Sequence, residues 1–210
     1  GGSNSVLISN ICGTTAAGFY SNAFAFIAAF SILPANLERV LSPSLYRISI
    51  SDNPEKFQFT QDFFCRVTLM LSCFLALFLH ILAPAVIKAA FGAKYLSSVP
   101  LLKLLAFTIP FLFNISFIIM TVIDMHAYRK KLLGIAALIN ISCGMLLIPR
   151  FQACGAAVSI LVTYGFLYFS PLVLLGYRKT INVISSLISL AKSGVILLCI
   201  VPFYHVFLYQ

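Results

Sequence analysis

Hydrophobic residues fill long uncharged stretches of this chain, and short charged segments separate the stretches. A helix needs about 20 apolar residues to cross the hydrocarbon core of a bilayer. Within the stretches the 3.6-residue periodicity is weak, which is typical of helices that are apolar on every side. The pattern predicts about six membrane-spanning helices, at about residues 17–40, 66–87, 101–123, 132–149, 153–176 and 193–210.

The first uncharged stretch is too long for one helix. Gly13 interrupts it early, so we interpret residues 1–16 as a lead-in from a preceding helix that is missing from this chain. Pro34 and Pro43 predict bends in the later half of the first span. That span can extend beyond Val40, toward the next charged segment.

Composition agrees with a membrane protein. Of the 210 residues, 61% are hydrophobic and 9% are charged, whereas soluble domains carry about 25% charged residues. Such an excess of apolar residues is too large for one water-soluble core to bury. We therefore predict an all-α integral membrane protein, a polytopic bundle of about six transmembrane helices.

The formal net charge of +9 has a topological explanation. Lysine and arginine concentrate in the cytoplasmic loops of membrane proteins. Here the basic residues gather in alternate loops, near residues 50, 128 and 180, so we place those loops in the cytoplasm. Nucleic-acid binding is disfavoured, because no basic stripe with interleaved aromatic residues lies on a soluble module.

Motifs of enzymes and of metal sites are missing from the sequence. The six cysteines include no CxxC pair, and most lie in apolar stretches, where a free cysteine acts as a small hydrophobe. The five acidic residues form no DxD motif, and neither HExxH nor GxSxG occurs. The sequence therefore predicts neither an enzyme nor a bound metal or cofactor.

Polar residues in or beside the spans are the candidates for function. Asn114 and Asn140 carry amides that need a partner or a watery cavity inside a bilayer, so helix packing and a transport cavity are both open. Arg39 and Arg47 lie at the inner end of the first span, and Lys103 lies about one turn into the third. Such cations either anchor a helix at the interface or bind phosphate, to which arginine can donate two hydrogen bonds.

Several motifs, in order along the chain, resemble one family. GFYSNA at residues 18–23 resembles the opening of a span, and PSLYR at residues 43–47 resembles its end. FGAKY followed by LLKLLA, within residues 91–106, and LIP followed by GAA, within residues 147–157, match in the same order. The set is similar to the polysaccharide and O-antigen flippases of the multidrug/oligosaccharidyl-lipid/polysaccharide exporter superfamily. One departure is Gln152, where that family often has glycine.

The resemblance implies that residues 17–210 are the C-terminal lobe of a two-lobe transporter fold in the bacterial inner membrane. It implies flipping of an undecaprenyl-pyrophosphate-linked oligosaccharide by alternating access, without a cofactor. The implied partners are this lipid-linked oligosaccharide, membrane lipids and a missing N-terminal lobe. The residues that we expect to contact the substrate are Arg39, Arg47 and Lys103 for the pyrophosphate, and Asn114 and Asn140 for sugar hydroxyls.

Three alternatives remain open, one of which is a purely structural membrane subunit. A cation-coupled multidrug antiporter of the same superfamily would favour an acidic residue within a span, and the predicted spans are nearly free of acids. A membrane-embedded transferase of polysaccharide biosynthesis would need a catalytic histidine or aspartate in a long loop, and the predicted loops are short. We therefore favour the flippase.

Overall fold

The structure is a computed structural model that describes residues 2–48 and 54–177. The predicted span at 193–210 and the loop near 180 lie outside the described residues. The described residues form helices and no strand, which confirms the all-α prediction. The helices are α1 (Gly2–Cys12), α2 (Thr14–Phe30), α3 (Ile32–Arg47), α4 (Pro54–Phe91), a 3-10 helix (Ala93–Ser98), α5 (Val99–Ala106), α6 (Ile109–Leu112), α7 (Ile115–Val122) and α8 (His126–Tyr177).

Length and composition identify the helices that can cross a membrane. Three stretches of the described chain qualify: Thr14–Arg47, Glu55–Phe91 and His126–Gly176. A fourth candidate is a pair of helical segments, Ala93–Ala106 and Ile109–Val122, bent by 49° at the break between them. The division into six spans stays a prediction.

Helix α8 consists of two antiparallel arms. Gln152 interrupts it with φ 51° and ψ −131°. The Asn140 Nδ2 atom lies 3.3 Å from Thr163 Oγ1, although 23 residues of straight helix span about 35 Å. The chain therefore reverses at Gln152, between the LIP and GAA motifs. We call residues 126–151 the first arm and residues 153–177 the second arm.

Proline explains the boundary between α2 and α3. Pro34 lacks an N–H, and its ring crowds the carbonyl group four residues earlier, which belongs to Phe30. Helix α2 ends at Phe30, and after the single residue Ser31 the chain continues as α3 from Ile32. Pro43 lies inside α3 without ending it.

Residues 1–16, expected to be a lead-in, contain a packed helix. Helix α1 contacts both α2 and α8. Its Asn4 and Ile8 side chains are fully buried. Gly13, with φ 90°, then separates α1 from α2 in a conformation that residues with a Cβ rarely adopt.

The span predicted at residues 101–123 is interrupted. Helix α5 ends at Ala106, and α6 is a single turn with Pro110 near its start. Asn114 then takes an extended conformation, and its Oδ1 accepts a hydrogen bond from Ser116 N at 3.0 Å, which caps α7. At this break, backbone groups and the Asn114 amide are available for contacts. A continuous helix would offer only side chains at the same position.

Buried side chains form two clusters, one toward each end of the bundle. Helix α4 joins them, because Phe57 and Leu69 belong to one cluster and Leu79 and Ile87 to the other. We call the first end, where α3 finishes, the Arg47 end. The opposite end, where α8 reverses, is the Gln152 end.

Candidate functional site

A groove lies between α3, the broken span and the two arms of α8. It consists of two adjoining cavities of about 240 and 310 Å³, which share Leu133, Tyr164 and Leu167 in their walls. Most of the lining is apolar. Among the described residues that line it, the charged ones are Glu38 and Arg129, and the uncharged residues with amide or hydroxyl groups are Ser31, Thr68, Asn114, Asn140, Thr163 and Tyr164.

Glu38 and Arg129 form an ion pair in the smaller cavity, the one of about 240 Å³. Arg129 Nη1 donates to Glu38 Oε1 at 2.5 Å, and Nη2 donates to Oε2 at 3.2 Å. Nη1 also donates to Thr121 Oγ1 at 2.6 Å, and the guanidinium carbon lies 5.4 Å from the Phe117 ring centroid. The Arg129 and Glu38 side chains are 27% and 31% exposed. The pair is thus a bidentate contact, and both of its side chains remain partly accessible from the groove.

The pairing of Arg129 with Glu38 was not predicted from the sequence, in which Arg129 is only part of a basic loop. The available signal was Glu38, the one acidic residue of the mainly apolar stretch Thr14–Arg47, because a carboxylate there needs a cationic partner. Arg39 is its neighbour in sequence, but adjacent residues of a helix do not face each other. The structure supplies the cation from the first turn of α8 instead.

The two predicted amides both reach the groove. Asn114 Nδ2 donates to the Leu167 carbonyl oxygen at 2.8 Å, so this side chain joins the broken span to the second arm. Asn140 Nδ2 donates to Thr163 Oγ1 at 3.3 Å and links the two arms. Thr163 in turn donates to the Ser159 carbonyl oxygen at 2.7 Å.

The three predicted cations lie elsewhere. Arg39 and Arg47 are exposed on α3, and Lys103 is half-buried on α5, where its carbonyl oxygen lies 3.3 Å from His80 Nδ1. None of the three is among the residues that line the two cavities. Their roles in binding a substrate stay predictions.

A second polar contact lies toward the Gln152 end, between α1 and α8. Asn4 Nδ2 donates to Ser159 Oγ at 3.1 Å and approaches the Ala156 carbonyl oxygen at 3.4 Å. Both side chains are fully buried. A Cβ atom built on Gly144 would lie 3.5 Å from Asn4 Oδ1, so the helices are in van der Waals contact here. This contact joins helices and leaves little space beside it.

Metal binding has no visible site in residues 2–48 and 54–177. No group of three or more histidine, cysteine, aspartate or glutamate side chains is placed there to hold an ion.

Comparisons with known proteins give two partial matches. Residues 2–100, which include Glu38 but neither Asn114 nor Arg129, match the family described as polysaccharide biosynthesis protein. Over 92 residues the chain is 36% identical to the uncharacterized membrane protein MJ1068 of Methanocaldococcus jannaschii. That match covers 43% of this chain and 18% of the relative, so the chain spans less than a fifth of the relative's length. No solved structure matches the chain significantly. With the apolar helices, these matches support a membrane role in polysaccharide biosynthesis or export.

Proposed function

We propose that the chain is the C-terminal lobe of a flippase for a lipid-linked oligosaccharide. The observation that carries the proposal is the groove, whose apolar walls hold an arginine–glutamate pair and several amide and hydroxyl groups. The proposed substrate has three matching parts: a hydrocarbon tail, a pyrophosphate and sugar hydroxyls. The polysaccharide biosynthesis match of residues 2–100 favours this substrate over other amphipathic molecules.

The proposed orientation places the Arg47 end on the cytoplasmic side of the bacterial inner (plasma) membrane. Arg47, Lys56 and Arg66 gather around the loop near residue 50, and Arg129 to Lys131 begin α8 at the same end. Cytoplasmic loops carry such an excess of cations. A second helical lobe, from the N-terminal part of the same polypeptide or from another copy, would face the groove and rock against this one.

Three polar residues of the groove and three cations outside it have proposed roles. Arg129 binds the pyrophosphate, because its planar guanidinium donates paired hydrogen bonds to phosphate oxygens. Asn140 and Thr163 bind sugar hydroxyls farther along the groove. Arg39 and Arg47 meet the head group at the cytoplasmic entrance, and Lys103 meets it at the exit. No covalent intermediate and no cofactor is part of the proposal.

Flipping in cells tests the function. In a strain from which the gene has been deleted, we expect lipid-linked oligosaccharide to remain inaccessible to periodate added outside the membrane. Expression of the protein encoded by that gene should restore the access of periodate to the lipid-linked oligosaccharide. Arg129→Gln should reduce restoration by more than about tenfold, because a hydrogen bond to a charged group contributes about 1.5–3 kcal/mol. Access at the normal rate in the deletion strain would refute the proposal.

Lys130→Gln is the matched control. Lys130 follows Arg129 directly, is exposed and does not line either cavity. The substitution removes the same unit charge from the same end of the protein. Full restoration by Lys130→Gln, together with loss in Arg129→Gln, attributes the effect to the groove and not to the charge of the loop.

Glu38 favours a second candidate, a cation-coupled multidrug antiporter. The sequence argued against it because the predicted spans are nearly free of acids, yet the Glu38 carboxylate lines the groove. In an antiporter this carboxylate would bind the cation, so Glu38→Gln should abolish the export of a cationic dye. Unchanged dye export in the deletion strain would exclude this candidate.

A further inference from the structure

We propose that Glu38 is a built-in competitor of the ligand: it occupies Arg129 in the empty protein, and a phosphate or pyrophosphate group displaces it. The inference rests on the proposed function for its ligand class. This role of Glu38 follows neither from the family match nor from the site residues predicted from the sequence. The pair is therefore a contact that exchanges partners, and not a permanent part of the packing.

The geometry of the pair is that of an occupied anion site. Both nitrogens at the end of the Arg129 fork donate to the two Glu38 oxygens, at 2.5 and 3.2 Å. A phosphate presents two oxygens to the same fork in the same way. A carboxylate carries one negative charge, whereas a pyrophosphate carries more than one, so the ligand has the stronger attraction for the guanidinium.

The two partners are held unequally, which determines which one moves. Arg129 keeps Thr121 Oγ1 at 2.6 Å and the Phe117 ring at 5.4 Å when Glu38 leaves. Within the described part of the chain, the hydrogen bonds of Glu38 run to Arg129 alone. The guanidinium thus stays in place for an incoming anion, while the carboxylate loses its anchor.

Exchange of partners couples binding to helix movement. The pair connects α3 to the first turn of α8, across 91 residues of sequence. An anion on Arg129 removes this connection, so it favours arrangements in which α3 is separate from α8. A ligand shifts a conformational equilibrium only through such a difference in affinity between states.

Binding measurements test the exchange. The purified protein, in nanodiscs of phosphatidylcholine, is titrated with a polyprenyl pyrophosphate and separately with inorganic pyrophosphate. We expect Glu38→Gln to tighten binding by about three- to tenfold, since an accessible ion pair contributes up to about 1 kcal/mol and one that is partly buried contributes more. Arg129→Gln should abolish binding. Glu55→Gln, which removes an exposed acid from α4, should leave the dissociation constant unchanged.

The outcomes are distinct. Tightening for the lipid probe identifies a lipid head group as the ligand, and tightening for inorganic pyrophosphate alone identifies a free phosphate compound. An unchanged or weaker affinity of Glu38→Gln for both probes overturns the exchange. If flipping is normal and neither probe binds, the inference fails and the proposed function stands. If flipping is absent and Glu38→Gln still tightens binding, the function fails and the inference stands.

Two further variants keep the test decisive if Glu38→Gln does not fold. Glu38→Asp retains the charge but shortens the side chain, so its affinity should lie between those of the unmodified protein and Glu38→Gln. The exchanged pair, Glu38→Arg with Arg129→Glu, should restore folding without restoring binding, because the cation then lacks Thr121 and Phe117. Normal binding by the exchanged pair would show that the contact is only structural.

Discussion

Two polar contacts inside this bundle differ in what surrounds them. Asn4 and Ser159 are fully buried between α1 and α8, where Gly144 allows the helices to touch. Glu38 and Arg129 instead border a cavity of about 240 Å³, and each remains partly exposed. A polar group surrounded by packed atoms can serve only the fold. A polar group beside open space can also exchange its partner for a ligand.

The difference follows from the cost of polar groups in a membrane. A hydrogen bond between helices contributes about 0.6 kcal/mol on average, so an uncharged pair such as Asn4 and Ser159 holds helices together modestly. A charged pair is costly to bury and is usually retained for function. We therefore expect the buried, uncharged Asn4–Ser159 contact to serve packing and the partly exposed Glu38–Arg129 pair to serve binding.

Gly155→Ala should have the largest effect, because it breaks the packed region. A Cβ atom on Gly155 would lie 2.3 Å from the carbonyl oxygen of Leu147 in the opposite arm, and a backbone atom cannot move aside as a side chain can. Overpacking costs about 1–3 kcal/mol, and we expect the upper end of that range. The measurement is the thermal midpoint of aggregation in detergent, together with the monodisperse fraction.

Gly165→Ala is the control for that variant. Gly165 lies in the second arm, and nothing would lie within 4 Å of an added Cβ atom. Its thermal midpoint should stay the same or rise, since alanine favours a helix over glycine by about 1 kcal/mol. Equal midpoints for the two variants would mean that the arms do not approach each other at Gly155.

The fold was predictable where local patterns determine it. Long apolar stretches indicate membrane helices whatever their partners are, and the Pro149 and Gly155 motifs mark the reversal of α8. The break at Asn114 was not foreseen, because an asparagine in an apolar stretch can either pack against a helix or cap one. Only the positions of Ser116 N and the Leu167 carbonyl oxygen decide between these uses.

The candidate site was predictable in part, again where a local pattern identifies the residue. Asn114 and Asn140 were identified because an amide in a bilayer needs a partner, and both line the groove. The pairing of Glu38 with Arg129 depends on how α3 meets α8, 91 residues later, and no local pattern contains that information. Charge alone directed attention to Arg39, which is exposed beside the carboxylate.

Gln152→Gly should have a moderate and stabilising effect at the turn that joins the packed arms. Gln152 has φ 51° and ψ −131°, a conformation that glycine adopts readily and other residues adopt at a cost of about 1–3 kcal/mol. We expect the free energy of unfolding to rise by about 1 kcal/mol, measured as an increase in the thermal midpoint. Gln152→Ala removes the same side chain but keeps a Cβ atom. A rise in the alanine variant as large as in the glycine variant would show that the backbone is not strained.

The smallest effects on stability should come from substitutions of two amide side chains. One amide lies in the packed contact and the other lies in the groove, so the two variants compare these regions directly. Asn4→Ala removes the donor to Ser159 from a packed contact, so we expect a loss of about 0.6 kcal/mol with normal flipping. Asn140→Ala removes a longer hydrogen bond, 3.3 Å to Thr163, at the wall of the groove. Its thermal midpoint should hardly change, while flipping should fall because a sugar hydroxyl loses its partner. Midpoint and flipping rate are measured on the same preparations. Two results would contradict this comparison: a proportional fall of midpoint and flipping rate in Asn140→Ala, or impaired flipping at full stability in Asn4→Ala. Either one would show that a cavity beside a polar side chain does not distinguish binding residues from packing residues in this protein.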